Sequence, residues 1–196
     1  MAHKLIFATH NEHKLVEVRQ MLEPTGLKIV SAGELNLSDV EETGKTFKDN
    51  ALLKAYAAYT QTGIPALAED SGLCINALDG RPGILSARYA KQHGGYPKVF
   101  ETINAELGDN PDRSAYYQAT MALVFSDMEA YTFDGIMEGT LTKKPIGSNG
   151  FGYDPIFIPT GYNQTVGQLS ADVKNKISHR YKALQQVFEF LKTHKN

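Results

Sequence analysis

Tryptophan is absent from this chain and cysteine occurs once, at Cys74. A lone thiol excludes an internal disulfide and with it the stapled small-domain class. Its position between Leu73 and Ile75 predicts a buried structural thiol. Long apolar runs are also missing, since none nears the ~18 residues that a membrane span requires. Near the start, only the short stretch Leu5–Thr9 precedes polar Asn11, which is not the layout of a secretory leader. The expectation is a cytoplasmic protein with no membrane partner. Excess positive charge is lacking too: 20 Lys and Arg stand against 22 Asp and Glu, a net charge of −2. That excludes the basic footprint of a duplex-binding domain, so no nucleic-acid partner is expected, although a local basic pocket is compatible with it. No repeat, low-complexity tract or linker-like change of composition divides the sequence. With 42% hydrophobic and 21% charged residues, its 196 residues are enough for a full core, and 1–196 is read as a single domain.

Periodicity gives the organisation. Lys4–Ala8 reads as a first strand, and 11–22 as a helix with Leu15, Val18 and Leu22 on one side, ending before Pro24. Leu27–Ala32 reads as a second strand. A helix over Thr46–Thr62 puts Phe47, Ala51, Ala55 and Ala58 on one face and stops at Gly63-Ile64-Pro65. Two strands, 64–69 and 73–78, are expected next, then a Gly/Pro loop at 80–83 and a helix over 96–107. Strands at 114–126 and 129–140 join through Ser126-Asp127, with alternation at Tyr117, Ala119, Met121 and Leu123. A short strand at 155–158, a polar and mobile loop over 160–173, and a final helix from about Ser178 complete the pattern. Early strand–helix alternation and a later antiparallel pair predict an α/β fold: a mixed twisted sheet flanked by helices, in two lobes with the active-site cleft between them.

The segment Ala68-Glu69-Asp70-Ser71 sets two acids side by side where an apolar strand is expected to end and Gly72 to turn the backbone. Adjacent carboxylates repel and resist desolvation, so they give a folding domain nothing. A divalent cation reverses that, and Mg²⁺ in particular takes one or two carboxylates together with phosphate oxygens. Phosphate donors are within the same sequence. Thr9-His10-Asn11-Glu12-His13-Lys14 lies at a strand-to-helix junction, where free N–H groups and the helix dipole favour an anion. Thr9 and Asn11 are also ordinary helix caps. Glu41-Glu42-Thr43-Gly44 introduces the second long helix, on which Asn50 and Lys54 share a face. Phe151, held between glycines in Gly150-Phe151-Gly152-Tyr153-Asp154, suits stacking on a flat ligand. Lys174, His179 and Arg180 add donors at the start of the last helix.

Taken together, these motifs resemble the inosine triphosphate pyrophosphatase family, the bacterial XTP/dITP diphosphatases. The likeness runs from Phe7–Lys14 through Glu41–Gly44, Thr46-Phe47, Asn50–Ala55 and Ala68–Leu73. It continues through Pro82-Gly83-Ile84 and Ser86–Tyr89 to Gly150–Phe157 and Lys174–Arg180. Glu69, where many relatives have Asp, and the 160–173 segment depart from the pattern. The resemblance implies hydrolysis of non-standard purine triphosphates (ITP, dITP, XTP) at the α–β phosphate bond, with Mg²⁺ as cofactor and a homodimer as the assembly. It implies Asp70 as the catalytic base and Glu41 and Asp70 as metal ligands. Substrate contacts fall to Thr9, His10, Asn11, Glu12, His13, Lys14, Lys54, Ser71, Phe151, Gly152, Tyr153, Asp154, Lys174, His179 and Arg180. Within that set Phe151 would stack on the base, while His179 and Arg180 would donate to its 6-oxo edge. A Maf-like pyrophosphatase for modified pyrimidine or methylated nucleotides and a non-hydrolytic nucleotide-binding regulator are the competing functions.

Overall fold

A computed structural model describes residues 4–194. Six strands form one mixed sheet in the order β2-β1-β3-β4-β5-β6. These are β1 Lys4–Phe7, β2 Lys28–Ser31, β3 Ala66–Ile75, β4 Ser114–Ser126, β5 Glu129–Leu141 and β6 Phe157–Pro159. β1 pairs in parallel with both β2 and β3, and β5 pairs antiparallel with β6. The helices are α1 Glu12–Leu22, α2 Phe47–Thr62, α3 Ser86–Gln92, α4 Tyr96–Leu107, α5 Ala171–Ile177 and α6 His179–Thr193. Among the described residues no helix is long and apolar enough to cross a membrane.

The chain forms two compact units. The first contains the described residues up to Asp70, then Ala119–Gly135 and those from Arg180 onward; the second contains Ser71–Gln118 and Ile136–His179. The first unit's main core includes Leu5, Phe7, Leu15, Val18, Leu22, Leu67, Met121, Leu123 and Val187, the helical and strand positions that periodicity selects. On α2 the small residues Ala51, Ala55 and Ala58 are buried, so backbone and sheet approach closely. In the second unit, Leu73, Ile75, Val99, Ile103, Tyr117, Ile156 and Phe157 share a core.

Local chemistry fixes the helix ends near the acids. Asn11 Oδ1 accepts from the backbone N–H groups of His13 (3.0 Å) and Lys14 (3.3 Å), which starts α1. Thr46 and Asp49 form a reciprocal capping box that starts α2, and Gly63, at φ +66°, ends it.

Three expectations change. Strands 64–69 and 73–78 are one continuous strand, β3, so Asp70 sits inside a strand and Gly72 does not turn the chain. Glycine is required there by proximity, because a Cβ would lie 2.2 Å from the Gly83 carbonyl oxygen and 2.6 Å from Ser86 Oγ. The 160–173 segment is anchored: Thr165 and Val166 are buried, Thr165 Oγ1 donates to Ile146 O at 2.6 Å, and α5 begins within it. A short turn over Asp154–Ile156 also precedes β6, which therefore starts later than the sequence predicts.

Candidate active site

β3 has a side-chain period of two, so Glu69 and Asp70 face opposite sides of the sheet. Both belong to the first unit and both are buried. Asp70 meets α2, where Asn50 Nδ2 donates to its Oδ2 at 3.0 Å and Lys54 Nζ stands 3.5 Å from its Oδ1. Asn50 and Lys54 are one helical turn apart, and this is the shared face expected of them. Lys54 Nζ also pairs with Glu42 Oε1 at 2.5 Å, and Asn50 Oδ1 accepts from Gly44 N at 2.8 Å, which ties the Glu42–Gly44 segment to the helix.

Glu69 meets α1 and α6. The Arg180 guanidinium grips it as a fork, Nε to Oε2 at 2.6 Å and Nη2 to Oε1 at 2.9 Å, while Nη1 holds Glu17 Oε2 at 2.5 Å. Lys14 Nζ lies 3.2 Å from Glu69 Oε1. Beside these groups a cavity of about 590 Å³ is lined by Thr9–Lys14 with Asp39, Glu42, Lys54 and Glu69. A helix start, two lysines and a row of carboxylates thus share one wall-and-floor arrangement within the first unit.

Burial pushes the Asp70 carboxyl above its ordinary range, against the opposing pull of Lys54 and the Asn50 hydrogen bond; the Glu42 charge adds to the upward shift. Burial lowers the Lys14 ammonium, opposed by Glu69. At Arg180 burial also disfavours the cation, yet Glu69 and Glu17 more than offset it and hold the group above its ordinary value.

The second unit holds another buried cluster. Asp154 Oδ2 accepts from Lys174 Nζ at 2.8 Å and from Phe151 N at 2.9 Å, and Tyr117 OH donates to Oδ1 at 3.3 Å. Lys174 Nζ lies 4.1 Å from the centre of the half-buried Phe151 ring, a cation–π contact. His179 stacks on Tyr117, with centroids 4.8 Å apart and planes 7° from parallel. Tyr153 OH donates to Ser86 O at 2.8 Å, Gly152 takes φ +67°, and Ser71 is half-buried at the start of this unit.

Several predicted residues are placed differently from their expected tasks. Glu41 is exposed, and it is the neighbouring Glu42 that meets Lys54 and acts electrostatically on Asp70. Arg180, expected at the base edge, has Nε, Nη1 and Nη2 on carboxylates, and Lys174, expected among the phosphate donors, pairs with Asp154. Thr9 Oγ1 accepts from Asn11 N at 3.1 Å, while His10, Glu12 and His13 are exposed along the cavity. Sequence reasoning does not find Asp39 or Glu17. Asp39 stands in a segment without periodicity, but Glu17 was discoverable, since it lies three residues after Lys14 on the same helix.

As for a metal, no group of three or more His, Cys, Asp or Glu able to hold an ion occurs among the described residues. A cation that binds through one or two carboxylates and completes its shell with phosphates and water needs no such group. Asp70, buried and pushed toward its neutral form, is a carboxyl that an added cation would favour in its ionised state.

A helix start, Lys14, Lys54 and the carboxylates of Asp39, Glu42 and Glu69 around one cavity are chemistry suited to a phosphate-bearing ligand with its cation. Comparison with known proteins makes this specific: the chain belongs to the Ham1 family, whose profile matches residues 5–190. It is 43% identical over 181 residues to the dITP/XTP pyrophosphatase of Gluconobacter oxydans, covering 92% of this chain and 87% of that protein. It is 44% identical over 187 residues to that of Streptomyces coelicolor, covering 93% and 94%. Among solved structures, a HAM1 protein from Coxiella burnetii superposes with a TM-score of 0.91 at 39% identity, covering 97% of this chain and 98% of that one. The Ham1 protein of Staphylococcus aureus gives 0.89 at 35% identity, covering 98% and 100%.

Proposed function

We propose that this chain hydrolyses non-standard purine nucleoside triphosphates (dITP, ITP and XTP) to the monophosphate and pyrophosphate, and so clears them from the cytoplasmic nucleotide pool. The observation that carries this is the convergence, in one cavity, of the Asn11-capped start of α1, Lys14, Lys54 and the carboxylates of Glu42 and Glu69, with Asp70 held against Lys54. A triphosphate brings about four negative charges, which bare carboxylates would repel. Lys14 and Lys54 bind and orient that tail beside the start of α1, whose dipole favours an anion. Asp70, with Glu41 or the nearer Glu42, would hold Mg²⁺, which when bound withdraws charge from the phosphate oxygens. Asp70 orients the attacking water and takes its proton; the new P–O bond forms as the α–β anhydride bond breaks, and pyrophosphate departs with that bond's electron pair. Asn50 fixes the Asp70 carboxyl through the 3.0 Å hydrogen bond.

Recognition of the base is assigned to Phe151 and His179. Phe151 supplies a ring for stacking, backed by the Lys174 cation, and His179 supplies a donor suited to a 6-oxo group and unsuited to the adenine amine. Ser71, Gly152, Tyr153 and Asp154 shape the surrounding backbone. The homodimer implied by the family resemblance is proposed with the activity. The deciding assay is pyrophosphate release under Mg²⁺ from ITP, dITP, XTP, ATP, dUTP and methyl-UTP in parallel. The expected result is preference for the first three; preference for the pyrimidines, or binding without release, overturns the proposal.

A further inference from the structure

The loop that presents Phe151 contains no helix or strand, and Gly147 (φ +85°) and Gly150 (φ +73°) free its backbone. Its shape is set from outside. Thr165, 0% exposed, donates from Oγ1 to Ile146 O at 2.6 Å, and its own N–H donates to Gln168 Oε1 at 3.0 Å. Asn149 donates twice to the same segment, from N to Gly167 O at 2.8 Å and from Nδ2 to Leu169 O at 3.0 Å. That segment is fixed in turn: Val166 N donates to Phe157 O at 2.8 Å, and Gly167 N to Asp154 O at 3.0 Å. The two backbones lie so close that a Cβ at Gly147 would stand 2.1 Å from Gly167 O. One residue, Gly150, separates this anchorage from Phe151, whose N–H donates to Asp154 Oδ2 at 2.9 Å. All of these residues belong to the second unit.

We propose that Thr165 is a positioning residue for base recognition: its buried hydroxyl, bonded to Ile146 O, fixes the 146–151 loop and so sets the Phe151 ring for stacking before a nucleotide arrives. This rests on the pyrophosphatase reading above, in which Phe151 stacks on the purine. A glycine-bearing loop left free would have to be ordered by the ligand, at the cost of affinity. Anchored from a buried hydroxyl, it is ordered in advance. A valine of the same shape would fill the site but leave the Ile146 carbonyl without that donor. Thr165 acts through the loop backbone and not on the ligand. Every base has a π-face, so the residue governs how tightly a purine is held, not which purine is chosen. The cavity lined by Thr9–Lys14 and Lys54 belongs to the first unit and shares none of these residues.

The test separates base from phosphate. KM and kcat for ITP and ATP under Mg²⁺, and calorimetric binding of inorganic tripolyphosphate, are measured on the full chain. The proteins are the wild type, Thr165→Val, Thr165→Ser, Phe151→Ala and the double variant of Thr165→Val with Phe151→Ala. Thr165→Val should raise KM for ITP and ATP alike by roughly fivefold, the worth of one buried hydrogen bond, with kcat and tripolyphosphate affinity within about twofold of wild type. Thr165→Ser keeps the hydroxyl and should restore KM to within about twofold. In the Phe151→Ala background, Thr165→Val should add less than about twofold, because the ring it positions is gone. Asn149→Ala, which removes the Leu169 bond from the exposed side of the loop, covers the case in which Thr165→Val fails to fold, and should raise KM about twofold in the same pattern. Unchanged KM in the folded variants, no rescue by serine, or an equal weakening of tripolyphosphate overturns the proposal. Phe151→Ala with normal KM overturns the stacking reading and this proposal together while hydrolysis stands; a wild type that releases no pyrophosphate removes the function itself, and the proposal with it.

Discussion

Gly72→Ala tests whether β3 carries Asp70 on a rigid strand. The added Cβ would stand 2.2 Å from Gly83 O, 3.0 Å from Gly83 C and 2.6 Å from Ser86 Oγ, whereas ordinary contact begins at 3.4 Å. Roughly 1 Å of new separation is needed, and a backbone carbonyl has no alternative rotamer by which to yield. Overpacking of this kind costs about 1–3 kcal/mol. Ser86 Oγ, which accepts from Leu73 N at 2.9 Å and donates to Gly83 O at 2.7 Å, would shift as well, and a lost hydrogen bond adds about 1 kcal/mol. At about 2–4 °C per kcal/mol for a chain of this size, Tm should fall by roughly 5–15 °C. Because Asp70 is two residues away on the same strand, a displacement near 1 Å should also lower kcat, by up to about 100-fold. Gly63→Ala is the control: at φ +66° with nothing within 4 Å of its Cβ, it costs about 1 kcal/mol of backbone strain and leaves kcat unchanged. Scanning calorimetry and pyrophosphate release measure both. A Gly72→Ala protein with Tm within about 2 °C of wild type and normal kcat would refute the close-approach argument.

Asp70→Asn should fold and bind nucleotide while losing about 10²–10⁴ in kcat, the usual contribution of a general base; near-normal turnover removes Asp70 from that role. The same variant has a pH signature without nucleotide or metal. The folded pKa of Asp70 is raised, so the native state binds more protons than the unfolded state, and wild-type stability falls as pH rises through that raised value. Asp70→Asn lacks this loss, so its Tm relative to wild type should be higher at pH 7.5 than at pH 4; an equal difference at both would contradict the shift. Asp154→Ala strands the Lys174 ammonium, which is 7% exposed, and breaking such a buried pair costs about 3–5 kcal/mol. Adding Lys174→Met should recover part of the Tm, and no recovery would mean that the pair is not the source of the loss.

The elements set by local periodicity are legible in the sequence. α4 spans the expected residues, β4 and β5 agree to within a residue, and the buried face of α2 is the expected one. The Asn50–Lys54 face follows from helical spacing alone, and the structure turns it toward Asp70. Contacts made across long separations are not legible. A glycine inside an apolar run reads equally as a turn or as a close approach, and only the presence of Gly83 against Gly72 decides between them. Nothing local connects Arg180 to Glu69, 111 residues away, so the sequence alone does not show this ion pair. The choice of Glu42 over Glu41 as the partner of Lys54 depends on the phase of an irregular segment for which neither helical nor strand period gives a rule. The short helices α3 and α5 carry too few turns for a period to show.

The adjacent acids that first suggested a metal show how one pair of carboxylates can be divided between two roles. The strand sends Glu69 to the α1–α6 side, where a bidentate arginine and a lysine satisfy both of its oxygens. Asp70 goes to the α2 side and receives a single amide hydrogen bond and a lysine contact at 3.5 Å, the outer limit of such a bond. Burial is similar for the two, 3% and 5% exposed, so the difference lies in compensation. A carboxylate held by a clamped arginine is a poor base, because protonating it forfeits those charge-assisted bonds. One that is desolvated and only partly compensated has its pKa raised and accepts a proton more readily. The proposed roles, proton acceptor for Asp70 and scaffold for Glu69, are in keeping with these partners. This division also explains why the fold tolerates the repulsion of neighbouring acids: each has its own cations, on its own face of the sheet.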